Sequence, residues 1–310
     1  MDRDELVLMR DVSVDFHVDG KSKVEIAHER NLSRFRVARL LTTAREMGIV
    51  RISVALPEES EDLSEPLAAT LGVPVIIAPT HSDARQRRDL LARTLARTLR
   101  DQVREGMTVG LSWSRTLETA AAYIDRLPPC QVVQLVGAQP VEGSGDSLGL
   151  IQHFKALSGV HTYPIWAPLT VGDAATAAGL RAQPQIAEAL RKADDLDLAV
   201  VAIGGWSPHS STVYPTLSRA DLAAVEEHQV VGECSGRLFD ADGRELHAPL
   251  EERVVAVTLD QLRRTPTVIA SGFGRDTAAA VRAGVRGGFV DMLVLDAECA
   301  SALNQLLETP

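Results

Sequence analysis

The chain has 310 residues, of which 45% are hydrophobic, and a formal net charge of −10 at pH 7. This length predicts about two domains, and the apolar content is ample for a sizeable core, which excludes an intrinsically disordered chain. No apolar run approaches the ~20 residues of a transmembrane helix and no signal-peptide pattern is present, so we expect a soluble, cytoplasmic protein without a membrane partner.

The N-terminal segment predicts three helices, of which the last two form a helix-turn-helix. The first helix is expected over residues 5–16. Residues 21–52, KSKVEIAHERNLSRFRVARLLTTAREMGIVRI, follow as two short helices joined by a turn at Asn31 and Leu32. Ser33 is a favourable N-cap, because its hydroxyl can accept a hydrogen bond from a free backbone N–H. The apolar residues of the second helix recur at helical spacing: Val37, Leu40, Leu41 and Ala44.

Arginines are concentrated on this second helix. Residues 30–51 contain six arginines and one glutamate, a local net charge of +5 in an acidic chain. Arg34, Arg36 and Arg39 lie on or beside the outer face and, with Ser33, are the predicted DNA contacts. The layout is typical of a helix that enters a DNA major groove. A helical hairpin with a solvated basic face, or one used for protein contact, is the alternative.

A strand and a linker are expected next. Residues 49–56, IVRISVAL, alternate in a β-branched pattern that predicts a strand, as in a winged-helix-like domain. The acidic stretch EESEDLSEP then leads into a short helix that ends near Gly72. We place the boundary between residues 52 and 60, which gives a DNA-binding domain over residues 1–54 and an effector-binding domain over residues 55–310.

The rest of the chain alternates between apolar strands and helices. Strands are predicted over residues 74–79, 107–112, 130–137, 160–165, 196–205, 266–272 and 288–295. Helices are predicted over residues 83–105, 115–127, 147–157, 181–193, 218–228, 276–284 and 297–308. This alternation predicts an α/β fold with a doubly wound, mostly parallel sheet, in which ligands bind beyond the carboxyl ends of the strands.

Three of these strand ends combine glycine with polar side chains. Hydroxyls, a guanidinium and backbone N–H groups at a helix start suit a phosphate, and glycine lets the backbone approach a ligand closely. A tight strand-to-helix turn would explain any one of them, whereas three in one domain predict a shared effector pocket. The candidate residues are Gly110, Ser112, Ser114, Arg115 and Thr116 in the first loop, Gly204 and Gly205 in the second, and Gly274, Arg275 and Thr277 in the third.

Asp240 is a further candidate for the effector pocket. It follows an aromatic residue and precedes the turn Ala241-Asp242-Gly243. Its carboxylate could accept hydrogen bonds from sugar hydroxyls, although turn chemistry alone would explain Asp242 and Gly243.

No metal or cofactor is expected from the remaining motifs. The three cysteines lie far apart without a CxxC pair, and the eight histidines form no HxxxH or HExxH motif. The cysteines are therefore expected to be inert packing residues. No glycine loop matches GxGxxG or GxxxxGK[ST], so dinucleotide and ATP binding are unsupported. GLSWS does not fit a GxSxG nucleophile elbow, because its fifth residue is Ser114.

Over almost its whole length the chain resembles the SorC/DeoR-type sugar-responsive transcriptional regulators of bacteria. The resemblance is carried by residues 21–52 and then, in order, by VGLSWSRTL, VVQLVG, LFDADGR, LDQLRRTPTVIASG and AAAVRAGVRGGFVDMLVLD. It implies a DNA-binding domain followed by a sensor domain that resembles sugar-phosphate isomerases in fold. It also implies phosphorylated sugars or related metabolites as ligands, and dimers or tetramers. By position, it assigns the phosphate loop to Gly110–Thr116 and the hydroxyl-binding acid to Asp240.

The third loop departs from the family pattern. The family tends to have Ala-Gly-Gly-x-x-Lys where this chain has residues 271–277, so that Phe273 replaces a glycine and Thr277 the lysine. Arg275 is the candidate for the missing cation, and Ser114 replaces a common glycine in the first loop. We expect a reshaped pocket, a weaker case for a doubly phosphorylated ligand, and an unphosphorylated sugar or polyol as an open alternative.

The predicted function is a DNA-binding transcriptional regulator of carbohydrate metabolism, whose affinity for operator DNA is controlled by a sugar, polyol or phosphorylated sugar. A homodimer or homotetramer is the expected unit. The alternative is a sugar-phosphate isomerase or deaminase with an accessory N-terminal domain. Such an enzyme needs a general base, for which only Asp240 is available, so we expect no enzymatic activity.

Overall fold

Three helices form the N-terminal unit of the computed structural model, which describes residues 3–17, 19–50, 62–139 and 147–308. They are α1 (Arg3–His17), α2 (Lys23–Glu29) and α3 (Arg34–Glu46). Ser22 caps α2: its hydroxyl accepts from the N–H of Glu25, and the Glu25 carboxylate accepts from the N–H of Ser22. Asn31 adopts a φ of +53° in the turn before α3, a left-handed conformation that asparagine tolerates better than most residues.

All three helices contribute to the core of this unit. The apolar residues predicted for α3 are the ones that face inward, which confirms the periodicity. The buried side chains are Met9, Val12, Ile26, Val37, Leu40, Leu41 and Ala44. Of the strand predicted over residues 49–56, residues 51–56 lie outside the described residues, whereas Ile49 and Val50 are described and are not part of a strand.

The C-terminal unit contains a mostly parallel sheet. In chain order, the described strands are β1 (Val75–Ile77), β2 (Thr108–Leu111), β3 (Cys130–Gln134), β4 (Val160–Tyr163), β5 (Leu198–Gly205), β6 (Gly232–Cys234), β7 (Arg237–Phe239), β8 (Val268–Gly272) and β9 (Met292–Leu295). The spatial order is β1-β9-β8-β5-β2-β3-β4, and every neighbouring pair in this series is parallel. The short strand β6 pairs antiparallel with the end of β5 and with β7.

Helices connect these strands. They are α4 (Ser64–Leu71), α5 (Ala84–Gln102), α6 (Arg115–Ala121), α7 (Ser147–Lys155), α8 (Ala174–Arg181), α9 (Pro184–Lys192), α10 (Arg219–Glu226), α11 (Leu259–Arg264), α12 (Ala278–Arg286) and α13 (Ala297–Glu308). Within the described ranges, no helix is long and apolar enough to cross a membrane.

The strand order reverses between β2 and β5. From β2 the chain runs outward through β3 to β4, then returns to β5 and runs outward on the other side through β8 and β9. This is the predicted doubly wound, mostly parallel α/β fold. Such a reversal leaves a crevice at the carboxyl ends of the two central strands, where ligands bind in open sheets of this kind.

The central strands are almost completely buried. Residues of β2 and β8 are buried throughout, as expected for parallel strands covered on both faces. Phe239 and Phe289 pack edge to face with ring centroids 5.3 Å apart. Cys130, Cys234 and Cys299 are free thiols inside this core, and burial raises the pKa of each thiol, which makes them unreactive.

Some predicted boundaries were wrong. The helix predicted over residues 181–193 begins only at Pro184 as α9, and Arg181 is the last residue of α8, a helix that was not predicted. Gln183 is extended (ψ 134°), the conformation that a following proline favours. The strand predicted from residue 288 begins only at Met292, since Gly288 has a φ of +68°. The helix predicted over residues 276–284 begins with a 3₁₀ turn, Arg275–Thr277.

Candidate functional site

The outer face of α3 presents the predicted DNA contacts to solvent. Arg34, Arg36 and Arg39 are exposed, and none forms an ion pair with a carboxylate among the described residues. Their guanidinium groups are therefore available to phosphates or base edges. The Ser33 hydroxyl accepts a hydrogen bond from the N–H of Arg36 at 3.2 Å, so it caps the helix as predicted.

Arg30 does not belong to this surface, although it contributes to the local charge of +5. Its guanidinium donates to Asp15 at 2.5 Å and lies 3.8 Å from Asp11. The bond from Arg30 lowers the pKa of the Asp15 carboxyl below its usual value. Arg30 therefore joins α1 to the end of α2, and its charge is largely neutralised inside the unit.

In the C-terminal unit, a cavity opens at the carboxyl ends of β2, β3, β5 and β8. It lies where the strand order reverses. Six of the predicted effector residues line it: Ser112, Ser114, Arg115, Thr116, Gly204 and Thr277. The three loops singled out in the sequence therefore meet in one cavity, because parallel strands bring their carboxyl ends to the same edge of the sheet.

Arg88 is one of the two arginines in the cavity wall. It comes from α5, its guanidinium carbon lies 3.7 Å from the centre of the Phe273 ring, and it donates to the Thr116 hydroxyl at 3.2 Å. Burial and the nearby charge of Arg115 lower the pKa of Arg88 to about 10, so it stays protonated at neutral pH. The stacked ring holds the planar guanidinium in place.

An ionic network behind the cavity orients the two elements that carry Arg88 and Phe273. Arg87 lies 3.4 Å from Asp296 and 2.9 Å from Glu298. Asp296 also accepts a hydrogen bond from the N–H of Gly274 at 2.8 Å. The buried carboxylate of Asp296 thus joins α5 to the loop after β8, and this connection holds Arg88 against the Phe273 ring.

Glu233 is the only carboxylate among the described residues of the cavity wall. One carboxylate oxygen accepts from the N–H of Gly236 at 3.3 Å, and a β-carbon on Gly204 would lie 2.9 Å from the other. Burial raises the pKa of Glu233 to about 7, against the stabilising effect of the bonds from Gly236 and the Ser211 hydroxyl. Near neutral pH this side chain can therefore donate or accept a hydrogen bond.

Hydroxyl groups complete the polar lining. Ser235 donates to Ser112 at 3.2 Å, Ser114 caps α6 by accepting from the N–H of Leu117 at 3.0 Å, and Thr277 donates to the carbonyl of Phe273 at 2.9 Å. Arg88 and Arg115 are the two arginines among the described residues of the cavity wall.

Asp240 is not part of the cavity, contrary to the prediction. One of its carboxylate oxygens accepts from the N–H groups of Asp242 and Arg244, both at 2.9 Å. It organises the turn after β7, which is ordinary aspartate turn chemistry. The acid that faces the cavity is Glu233, seven residues earlier on β6.

Four further predicted residues lie outside the cavity lining. A β-carbon on Gly110 would lie 2.8 Å from the side chains of Leu135 and Leu196, and one on Gly205 would lie 2.4 Å from the carbonyl of Asp276. Both glycines therefore allow close packing of the sheet. Gly274 has a φ of +80°, which favours glycine in this turn. Arg275, the candidate for the missing cation, donates to Gln305 at 3.1 Å and is not among the lining residues, whereas Arg88 lies in the cavity wall.

Among the ionisable residues of the cavity, three were not predicted from the sequence: Arg88, Glu233 and His209. Arg88 lies in an arginine-rich helix, where nothing distinguishes it from its neighbours. His209 is exposed at the rim, in the loop after β5. Glu233 carried a detectable signal, because a lone carboxylate in the apolar, glycine-containing stretch VVGECSG suggests a buried acid.

Known proteins resemble the chain over nearly its whole length. A family model for a sugar-binding domain, Sugar-bind, matches residues 57–305. The deoxyribonucleoside regulator of Bacillus subtilis is 26% identical over 98% of this chain and 99% of its own length. The transcriptional regulator LsrR of Klebsiella pneumoniae is 24% identical over 94% of this chain and 90% of its own.

A solved structure shares the fold. The full-length sorbitol operon regulator SorC from Klebsiella pneumoniae superposes with a TM-score of 0.76 at 18% identity, covering 97% of this chain and 99% of its own. At this identity the likeness concerns the fold, which includes the order of the helical and the α/β parts.

Proposed function

The chain belongs to the Sugar-bind family of SorC/DeoR-type transcriptional regulators, and from this membership we propose that its effector is a sugar carrying one phosphate group. The protein is a transcriptional regulator that binds DNA and responds to a sugar-type effector. The class of that effector, the residues that hold it and the DNA contacts are the proposal.

The pair Arg88 and Arg115 carries the argument for a phosphate. Both line the cavity, and they are close enough for the charge of one to lower the pKa of the other. Neither forms an ion pair with a carboxylate among the described residues. Two cations without an ion-pair partner, beside the hydroxyls of Ser114 and Thr116, match the charge and the acceptor oxygens of a phosphate.

The rest of the cavity suits the sugar itself. Glu233, Ser235 and Ser112 offer a carboxyl and two hydroxyls that can bind sugar hydroxyls. The two arginines of the cavity form one cluster, and its described lining residues include no further arginine or lysine. Phe273 occupies the position where the family has glycine and narrows the site. These features favour a monophosphate over a bisphosphate and over an uncharged polyol.

Thermal denaturation with matched ligand pairs tests this proposal. The names of the deoxyribonucleoside regulator and of the sorbitol operon regulator suggest deoxyribose with its phosphate and sorbitol with its phosphate as first pairs, followed by pentoses, hexoses and bisphosphates. Ligands that bind the native state raise the Tm. We expect a monophosphate to raise it strongly, and its parent sugar or polyol to raise it little or not at all at the same concentration.

Arg88→Met separates the phosphate site from general effects of charge. The variant keeps an unbranched side chain of similar length, and we expect it to lose about tenfold or more in affinity for the phosphorylated ligand, since charge-assisted hydrogen bonds typically contribute about 1.5–3 kcal/mol. Arg85→Met, on the exposed side of the same helix, is the matched control and should bind normally. Equal binding by both variants, or a preference for the uncharged ligand, would overturn the proposed site.

For the DNA output, we propose that Arg34, Arg36 and Arg39 contact the operator. An operator can be obtained by selecting bound duplexes from a randomised library with the full-length protein. The double substitution Arg34→Ala and Arg36→Ala should abolish binding at ~0.15 M salt, because two phosphate contacts are lost. Each lost contact should also reduce the slope of log K against log salt concentration by about one. Arg10→Ala, an exposed arginine on α1, is the control. Unchanged binding by the double variant would refute this assignment.

Effector binding is proposed to change operator affinity by about 5- to 150-fold, the usual range of allosteric coupling. We also propose a cytoplasmic homodimer or homotetramer, because one helix-turn-helix reads only a half-site. Light scattering of the free and DNA-bound protein measures the assembly. Titration of operator with and without the identified phosphate gives the sign of the response.

We propose that the cavity senses the sugar without converting it. Asp240, the general base expected for an isomerase, lies outside the cavity. Glu233, with its raised pKa, is the group that an enzyme would use as a base. Incubating the protein with pentose and hexose phosphates and following the sugar by NMR distinguishes the two functions; turnover that Glu233→Gln abolishes would favour the enzyme.

A further inference from the structure

We propose that Phe35 reads the methyl group of a thymine in the major groove and is a specificity-determining residue of the operator complex. The inference rests on the proposed DNA-binding role of α3 and adds a base-specific contact to it. Phe35 is 89% exposed, the largest exposure of any large hydrophobic residue in the described part of the chain.

The position of Phe35 on the helix defines the contact surface. Successive residues of an α-helix are rotated by about 100°, so Phe35 lies opposite the buried residues Val37, Leu40, Leu41 and Ala44. Arg39 follows one turn later on the same outward face, and both it and Phe35 are exposed. Arg34 and Arg36 lie about 100° to either side. The aromatic ring is thus at the middle of the outward face, with a guanidinium on each flank.

Nothing in the N-terminal unit explains why this ring is exposed. Among the described residues, no aromatic ring or cation stacks on Phe35, whereas Phe16 contacts both His17 and Lys23. Single exposed apolar side chains are common on protein surfaces, but this ring lies in the middle of the arginine-bearing face of α3, where a bound partner would cover it. The arginines around it identify that partner as a polyanion, because four exposed arginines on α3 would repel another basic surface.

The chemistry of the major groove selects the base. Most groups on its floor are hydrogen-bond donors or acceptors, which a phenyl ring cannot satisfy. The C5 methyl of thymine is the apolar exception. A side chain at the middle of the outward face approaches the floor of the groove, and the flanking arginines approach its two phosphate walls. Phe35 would therefore bury a thymine methyl, while Arg34 and Arg36 position the helix.

Replacing thymidine by deoxyuridine tests this contact, since it removes only the methyl group and leaves base pairing and charge unchanged. In the operator selected by the full-length protein, thymines are replaced one symmetry-related pair at a time, and affinity is measured by fluorescence anisotropy. For the wild-type protein, one replacement should weaken binding by about fourfold per half-site, the equivalent of about 0.8 kcal/mol for one buried methyl group.

The variants make the assignment specific to Phe35. Phe35→Ala should bind the thymine and deoxyuridine operators equally well, with its salt dependence unchanged because no charge is lost. Phe35→Leu, which keeps an apolar group, should retain part of the discrimination. Val14→Ala removes an exposed apolar side chain from α1 and should discriminate like the wild type. Circular dichroism checks that Phe35→Ala is folded.

Three results would overturn the inference. The first is a wild-type protein indifferent to every deoxyuridine replacement, and the second is Phe35→Ala showing the same loss as the wild type. The third is a change of oligomeric state caused by Phe35→Ala without DNA, which would identify a second copy of the chain as the partner. These results differ from those expected if α3 does not bind DNA at all. In that case the Arg34→Ala, Arg36→Ala double variant would still bind DNA as the wild type does.

Discussion

Replacing Glu233 by glutamine should make the protein more stable, increasingly so as the pH rises. The pKa of this buried carboxyl is raised from 4.5 to about 7 in the folded protein. The native state therefore holds a proton that the unfolded state has released between pH 4.5 and 7. The stability that the protonated Glu233 carboxyl provides, relative to the ionised carboxylate, is fully present below pH 4.5 and is lost as the pH rises through 7. Glutamine has nearly the same shape and cannot ionise.

The size of the effect follows from the shift in pKa. At about 1.4 kcal/mol per unit, the ionisation penalty of Glu233 grows from about 1 kcal/mol at pH 5.5 to about 3 kcal/mol at pH 8.5. The difference in the free energy of unfolding between Glu233→Gln and the wild type should therefore increase by about 2 kcal/mol from pH 5.5 to pH 8.5. Glu251 is also buried and has a raised pKa, but it is present in both proteins and its contribution cancels to first order.

Urea denaturation followed by circular dichroism at several pH values measures this difference. Glu227→Gln, on the exposed surface after α10, controls for the loss of one negative charge. Parallel stability curves for the wild type and Glu233→Gln would refute the reasoning. They would show that Glu233 is either solvated or permanently paired, and not the poised acid that the cavity geometry indicates.

Four further outcomes are expected. Binding of the phosphorylated effector above pH 7 should take up protons, because a nearby anion favours protonated Glu233; calorimetry in buffers with different ionisation enthalpies detects this. Ser33→Ala should cost the N-terminal unit about 0.5–2 kcal/mol in thermal denaturation, through loss of the α3 cap. Asp240→Ala should cost about 1–3 kcal/mol, because two backbone N–H groups lose their acceptor, while effector affinity by calorimetry stays unchanged. Leu95→Ala, fully buried on α5, should cost about 2–5 kcal/mol in urea denaturation, with the slope unchanged.

The sequence predicted the elements well where the signal was local. Ser33 and the apolar spacing from Val37 to Ala44 placed α3 correctly, since a cap and a 3.6-residue period depend only on neighbours along the chain. Alternation of apolar strands with helices predicted the parallel sheet. The strands of the hairpin β6–β7 have three residues each, which is too short for a period to show. The helices α8 and α11 were not predicted either, and the start of α9 was placed three residues too early.

The sequence also determined which strand ends meet. Ser112, Thr116, Gly204 and Thr277 share one cavity because they follow parallel strands, and that geometry is independent of sequence distance. The sequence pattern could not distinguish a glycine that lines the cavity from a glycine that allows close packing of the sheet. Gly204 lines the cavity, whereas Gly110 accommodates Leu135, although both end a strand in the same way.

Only the tertiary structure decided which charged side chains face the cavity. Arg88 and Phe273 are separated by 185 positions, and the sheet order and the Arg87–Asp296 pair bring them to 3.7 Å. Asp240 is a strong candidate by sequence, yet its carboxylate is occupied by its own turn. Secondary structure is encoded locally by propensity and period, while the polar lining of a site depends on contacts between distant segments. The sequence therefore determined the fold, the helix-turn-helix and the edge of the sheet at which the effector would bind, and the packing of the chain decided that Arg88 and Glu233 face the cavity.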